Sequence, residues 1–413
     1  MNNMDSKYLW LSLVAVALLV RIWGIGQFQH HLGDEAIHVP AAETYHQSGH
    51  ANPDHYCHPP LKYILLYGSM QLFGNNPYGW RMRNVLFGAL TILVLFLIGS
   101  ELFPDRRIGF LAAALLALDP LHILLSRSTF DEIPAALFFL TGLYCLIRYL
   151  KNGSNSFLLS AGLFLGLAVS VKWYFIPAIL VMVLFTLWYR AGEGHRSWRA
   201  AADAVSALML LPLTVYLLVF TAWFGRGYSL LDFAEMQRDA YQELQSVQLQ
   251  GLNGIFASSG SPVSWFVKPI MFGLTFPESG TAKRFIMFFN DPPVWMLTLP
   301  AMLYAGYRAG KGWMRMLLLV PLLFFAVYGQ FLFFKRPILL YSAITCLPLS
   351  FLVIAAVAVA LIDRTRHAAS AYAFLLAGLL IWGAYLYPLT AGWAVPDSFY
   401  AGFLASGKFL RPF

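Results

Sequence analysis

The feature that most constrains this chain is a succession of apolar runs long enough to cross a bilayer, for which a helix needs roughly 17–25 residues. The runs begin near Tyr8, Asn84, Ile108, Asp131, Phe157, Tyr174, Val205, Val294, Met314, Ile338 and Ala371, about eleven in all. Backbone polar groups in lipid must be satisfied internally, so runs of this length predict helices. Phe157 to Tyr189 is almost unbroken, and Lys172 and Pro177 mark a hairpin turn inside it. Composition agrees, since 59% of the 413 residues are hydrophobic and only 12% are charged, against roughly 25% charged in soluble chains. That excludes a cytoplasmic enzyme, a disordered chain and a nucleic-acid-binding module, and no nucleic-acid partner is expected. The expectation is an all-α polytopic membrane protein, one transmembrane domain over residues 1–413 without an internal repeat or a separate soluble domain. Three cysteines make no disulfide framework, and only Cys57 lies outside the apolar runs.

The net charge of +8 carries information by position, because Lys and Arg mark cytoplasmic loops. The first run follows Lys7 alone and has no convincing cleavage site, so it reads as retained. With the N-terminus in the cytoplasm, the inner loops carry Arg106–Arg107, Arg148 and Lys151, Arg190, Arg196 and Arg199, Arg308, Lys311 and Arg315, then Arg364 and Arg366. Every inner loop is then basic and short. Two long segments fall outside, at about 27–83 and about 225–293, so the active face is expected to point outward.

The first outer loop opens with the acids Asp34 and Glu35, close beyond the first run. A partly desolvated carboxylate gains the basicity needed to take a proton from a hydroxyl. A solvated pair that merely ends the span is the other reading. Farther on, His58-Pro59-Pro60-Leu61-Lys62 leads into an amphipathic stretch ending at Phe73, where His58 and Lys62 can meet an anionic headgroup or the prolines can simply form a stiff corner. Seven of the ten histidines, His30, His31, His38, His46, His50, His55 and His58, crowd this loop beside Cys57. Their spacing matches neither a metalloprotease helix nor a zinc finger, and a metal is not expected.

Cations on the outer side depart from the inside bias: Arg21, Arg81, Arg83, Arg127, Lys172 and Lys335–Arg336. They are suited to a lipid phosphate, with Arg as a bidentate fork and Lys as a point charge, although snorkelling to headgroups explains any one of them. The second outer segment starts with a polar amphipathic run, Leu231 to Gln250, and continues through Ser258–Trp265, Lys268–Ile270 and Asn290–Trp295. Ser261, Trp265, Asn290 and Trp295 are candidates for an acceptor or sugar platform, and an interfacial aromatic belt is the alternative.

Taken in order, these residues resemble the protein O-mannosyltransferases and their bacterial relatives, multi-spanning transferases of the GT-C fold that use a polyprenyl-phosphate sugar donor. The resemblance rests on Arg21 to Asp34-Glu35, His58-Pro59-Pro60-Leu61, Arg81 to Gly88, Ser126-Arg127 followed by Asp131, Gly162 to Trp173, Ser261 to Ile270 with Asn290 to Trp295, and Lys335 to Pro348. It implies an inverting transfer in which Asp34 is the general base and Glu35 helps orient the site. It draws the phosphate-binding cations from Arg81 or Arg83, Arg127, Lys172 and Arg336. It implies polyprenyl-phosphate-mannose as cosubstrate with no cofactor or divalent metal, and a translocated protein as acceptor. The implied setting is a prokaryotic plasma membrane, with lipid, the secretion translocon or a second copy of the chain as further partners. Lys62 directly follows Leu61, Trp265 stands alone and Lys268 replaces the usual Arg, departures that bear on the acceptor.

A transfer to a lipid or glycan acceptor is the alternative of similar architecture. A transporter or flippase would need charges along a midplane pathway and related halves, whereas here the charges gather at the outer rim.

Overall fold

The computed structural model describes residues 3–48, 58–194, 197–246, 261–277, 282–310, 315–334, 336, 338–396 and 398–399. Apolar runs become helices wherever the sequence leaves the backbone free to close them. The first is α1 (Asn3–Ile22), followed by α2 (Glu35–Ser48) and α3 (Leu61–Phe73) in the segment expected to form the first outer loop. Next comes α4 (Pro77–Leu102), where Pro77 sits at the first helical position and the Asn76 side chain accepts from the amides of Tyr78 and Gly79. Asp105 caps α5 (Arg106–Leu118) in the same way. The Asp119-Pro120 pair then stops that helix, and α6 (Pro120–Ser126) leaves at 65°. Helix α7 (Glu132–Asn152) ends on Gly153 at φ 71°, and α8 (Asn155–Val169) packs antiparallel beside it after a short turn.

The expected break before Tyr174 is present: α8 stops at Val169, and α9 (Ile176–Gly192) starts after a short 3-10 turn at Trp173–Phe175. Helices α10 (Trp198–Val205) and α11 (Leu211–Val219) are joined by a π segment at Ser206–Leu210, just ahead of Pro212, whose missing N–H cannot close an α turn. The α8 glycines Gly162 and Gly166 let it lie against this segment at backbone distance from Ala207 and Pro212. The outer segment follows with the turn α12 (Thr221–Phe224), the amphipathic α13 (Leu230–Ser246) and the turn α14 (Pro292–Trp295). Among the described residues four further α-helices follow, α15 (Thr298–Gly310), α16 (Leu319–Phe331), α17 (Leu347–Ile362) and α18 (Ala368–Ala391).

Each apolar run is thus helical, yet the count of about eleven crossings does not translate into unbroken spans. Five helices among the described residues are long and apolar enough to cross, or six with the bent α5–α6 pair taken as one. The remaining apolar helices are shorter, at Trp10–Ile22, Asn155–Val169, Arg315–Phe331 and Leu347–Ile362, and the Asp119-Pro120 step bends the α5–α6 pair.

The all-α expectation needs one correction. Strands β1 (Met271–Pro277), β2 (Ala282–Phe289) and β3 (Ala394–Pro396) form an antiparallel sheet in the order β1-β2-β3, with Phe272 opposite Phe288 and Lys283 opposite Val395. Its residues are aromatic and branched, as strands prefer. The sheet ties the second outer segment to the chain after the last long helix, and its Phe288 ring meets Phe130 and Tyr341 at 5.5 and 6.5 Å. The amphipathic run expected over Leu231 to Gln250 is helical from Leu230 to Ser246, and its last four residues lie outside the described ones.

Candidate active site

Two Asp-Glu pairs meet at one end of the helices, one at the start of α2 and one at the start of α7. Three of these four acids have a cation. Glu35 is fully buried and receives Arg81, with Nε 3.0 Å from Oε1 and Nη2 2.8 Å from Oε2. Asp131 takes Lys62 Nζ at 3.0 Å, an ion pair off the hydrogen-bonding direction, with Arg83 Nη2 at 3.7 Å. Lys172 Nζ donates to Glu132 Oε1 at 2.7 Å. Asp34 is the fourth, and among the described residues nothing donates to its carboxylate.

Electrostatics separates Asp34 from its neighbours. Burial, then the charge of Glu132, pushes its carboxyl up to about 6, against the pull of Lys172 and Lys62. Burial alone would also raise Asp131, but the cations Lys62 and Arg83 outweigh it, with Lys172 adding to them, and hold that carboxyl well below the usual range. Burial, with Lys62 adding to it and Asp131 opposing it, pushes His38 down to about 3. Lys62 Nζ lies 3.2 Å from His38 Nε2, so that nitrogen is the acceptor and Nδ1–H faces the Thr129 carbonyl at 3.3 Å. His38 is therefore a neutral spacer and not a base. Burial would lower Lys172, but Glu132 raises it on balance, so it stays charged. His58 is driven well below its ordinary value by burial and by Lys172, Lys62 and Arg336, and it too is neutral.

The expected cations divide into two groups. Lys62, Arg83 and Lys172 surround the acids, and Arg336 stands beside them with Nη2 3.4 Å from the Tyr174 hydroxyl. Arg21, Arg81 and Arg127, also expected to bind phosphate, are instead engaged here by acceptors within the protein. Every N–H of Arg81 has an acceptor: Glu35 and the carbonyls of Ile25, Phe28 and His30. Arg127 Nη1 reaches the carbonyls of Val20, Arg21 and Trp23, and Nη2 that of Ala391, so one guanidinium caps the C-terminal ends of α1 and α18. Arg21 is fully buried, with Nη2 donating to the Ala117 carbonyl and to His122 Nδ1 at 2.8 Å. Of Arg81 and Arg83, the residue beside the acids with a less committed guanidinium is Arg83, whose donors go to Asn84 and to the carbonyls of Lys62 and Thr129.

The acceptor candidates are mostly buried. Trp265 and Trp295 are completely buried, so neither presents a ring face to a substrate. Trp295 Nε1 donates to Asp119 Oδ2 at 2.7 Å, which ties α14 to the α5–α6 corner. Asn290 stitches its own loop, donating to the Trp265 and Lys268 carbonyls and accepting from the Ile270 amide. Ser261 alone of the four is exposed. Its carbonyl accepts from the Ser264 hydroxyl at 2.7 Å.

Residue-by-residue reading undervalued Glu132, His38 and Tyr341. The signal for the first was a second Asp-Glu dipeptide at the start of another apolar run. Tyr341 lies 4.9 Å ring to ring from Phe130, and burial together with the Asp34 charge raises its hydroxyl well above the ordinary value. Among the described residues no group of three or more His, Cys, Asp or Glu is arranged to hold a metal. His50, His55, Cys57 and Lys335 lie outside the described residues.

Membrane helices with paired acids and cations gathered at one end form a multi-spanning membrane protein of the GT-C fold. In fold the chain is similar to the Archaeoglobus fulgidus oligosaccharyltransferase in its apo form, with a TM-score of 0.59 at 16% identity over 96% of this chain and 57% of that one. It is equally similar to ArnT from Cupriavidus metallidurans in the apo state, with a TM-score of 0.58 at 15% identity over 97% of this chain and 76% of that one. Residues 11–225 match the family described as dolichyl-phosphate-mannose-protein mannosyltransferase, and the chain belongs to that family. A curated relative, the polyprenol-phosphate-mannose–protein mannosyltransferase of Corynebacterium glutamicum, is 26% identical over 77% of this chain and 75% of its own length. The protein of the same name from Mycobacterium tuberculosis is 22% identical over 61% of this chain and 60% of its own.

Proposed function

We propose that the chain transfers mannose, with inversion, from polyprenyl-phosphate-mannose to Ser or Thr hydroxyls of translocated proteins. The observation that carries this reading is the one acid left without a cation. Asp34 is half-buried, free of described donors and raised to about 6, which suits a general base working near neutrality. It takes the hydroxyl proton as the acceptor oxygen bonds to the anomeric carbon and the bond from that carbon to the phosphate oxygen breaks. Both electrons of that bond leave with the polyprenyl phosphate, so no protein nucleophile is needed.

In this reading the departing phosphate is met by Lys172, Arg83 and Arg336, with His58 and Lys62 nearby, and no metal or cofactor takes part. Glu35 orients the loop rather than reacting, since Arg81 holds it. The donor and acceptor follow the names of the relatives from Corynebacterium glutamicum and Mycobacterium tuberculosis. We place the protein in a prokaryotic plasma membrane with its N-terminus inside and this site facing out, as the basic inner loops support. The test is transfer of labelled mannose from polyprenyl-phosphate-mannose to a Ser/Thr-rich peptide, by wild type and by Asp34→Asn at equal expression. Loss of transfer by several powers of ten in the variant supports the base, and transfer that survives the change rejects it. Donor consumption only with a lipid or glycan acceptor would replace the protein acceptor in this reading.

A further inference from the structure

The segment Ser170 to Phe175 lies between α8 and α9, where the backbone lacks the continuous hydrogen bonding of a helix. Lys172 within it is extended, at φ −146° and ψ 133°. What holds such a segment is its side chains and their partners, and here three consecutive residues are each tied to a different element. Lys172 is tied to Glu132 of α7 at 2.7 Å. The Tyr174 carbonyl accepts from Gln330 Nε2 of α16 at 2.6 Å, and its ring meets Phe331 edge-on at 4.9 Å. Trp173 Nε1 donates to the Tyr216 hydroxyl of α11 at 2.9 Å.

The Trp173 tie continues outward. An indole N–H can only donate, so the Tyr216 oxygen is the acceptor there, and its single proton goes to Gln237 Oε1 of α13 at 2.8 Å. Helix α13 belongs to the second outer segment and is largely exposed. It is seated by Phe233 against the rings of Phe220, Trp223 and Phe224 at 5.0, 5.9 and 5.2 Å. Those ring contacts are apolar and tolerant of sliding, whereas the Gln237 bond fixes one register. We propose that Gln237 is a positioning residue for the transfer reaction, holding Lys172 on Glu132 through Tyr216 and Trp173. The seating of the second outer segment is thereby coupled to the cation beside the reacting centre. The inference rests on the transfer reaction proposed above.

The test uses the full chain in detergent or nanodiscs, with initial rates from polyprenyl-phosphate-mannose to peptide for wild type, Gln237→Leu, Gln237→Glu, Tyr216→Phe and the Tyr216→Phe/Gln237→Leu double variant. Gln237→Leu and Tyr216→Phe should each lower kcat by roughly tenfold to a hundredfold, the scale expected of a small misplacement at a reacting centre. The donor KM should rise as kcat falls, because Lys172 also meets the donor phosphate, while the peptide KM should stay within about twofold. Gln237→Glu keeps an acceptor oxygen for the phenol and should restore most of kcat, and the double variant should be no worse than the poorer single one. An unchanged kcat in Gln237→Leu overturns the inference, as do losses that multiply in the double variant or a Gln237→Glu variant as poor as Gln237→Leu. Hydrogen exchange of residues 170–175 tests the coupling without any turnover. It should rise in Gln237→Leu and return in Gln237→Glu, and unaltered exchange refutes the coupling even if the wild type transfers no mannose. A wild type without transfer but with the altered exchange would instead count against the proposed reaction.

Discussion

Replacing Glu132 by Gln should move the acid limb of the transfer rate to lower pH, and replacing Lys172 by Met should move it to higher pH. The groups facing Asp34 are Glu132, Lys172, Lys62 and Asp131, and burial with the Glu132 charge raises its carboxyl from the ordinary 3.8 to about 6. A general base works unprotonated, so kcat/KM rises with pH and levels off above the base's value in the free enzyme. One unit below it, about a tenth of the enzyme is active. Glu132→Gln removes a charge that raises Asp34 and also frees Lys172, which lowers it, so both changes act in one direction. Lys172→Met removes a lowering charge and leaves Glu132 unopposed, so Asp34 and Glu132 titrate together at higher pH. A single charge at this range moves a carboxyl by about one unit or more, equivalent to about 1.4 kcal/mol per unit. The assay is kcat/KM for mannose transfer from about pH 4.5 to 8.5, where the limb is set by the base. Only the position of the limb is read, since Lys172→Met also lowers the plateau by removing charge from the phosphate. A limb that stays near the wild-type position in both variants, or moves the same way in both, refutes Asp34 as the titrating base.

Asp34→Asn should abolish transfer and yet stabilise the protein at neutral pH. A carboxyl raised in the folded state costs stability progressively as pH rises from about 4 to about 6, and the cost is fully present above that; after allowance for partial exposure, on the order of 1 kcal/mol should be recovered, read as a higher melting temperature at pH 7.5 than wild type and a smaller difference at pH 4. Arg81→Leu leaves the buried Glu35 without its partner and should cost about 3–5 kcal/mol, seen as loss of folded protein, while the donor KM of what remains folded is unchanged. A raised donor KM in that variant would return Arg81 to the phosphate site. Gly162→Ala sets a methyl against the Ala207 carbonyl across the contact of α8 with the π segment. It should lower thermal stability by about 1–3 kcal/mol with little effect on the rate per folded molecule.

The limits of sequence reading differ from place to place in this chain. The apolar runs predicted every long helix because a lipid environment leaves the backbone few alternatives. Their interruptions were harder to see, since the Asp119-Pro120 step changes the path of a helix without changing its mean hydropathy. The sheet was missed because its strands are short, lie in a segment read for aromatic binding residues, and pair with Ala394–Pro396 from the far end of the chain. Asp34 stood out in the sequence as an acid just beyond a membrane span. Residue type alone does not separate it from Glu35, Asp131 or Glu132, which are the same functional groups in the same kind of dipeptide; only the family resemblance pointed to Asp34.

By itself the sequence determined that this is a many-spanning helical membrane protein, because hydropathy acts locally along the chain. Which charges are left for chemistry was decided only by tertiary structure. Arg81 and Arg83 are two residues apart on α4, yet one is fully engaged by Glu35 and three carbonyls while the other faces Asp131. Arg127 caps the ends of α1 and α18, and Trp295 reaches Asp119 across 176 positions. Pairing of this kind depends on distance in space, which packing sets and sequence separation does not, and it is this pairing that leaves Asp34 without a described partner.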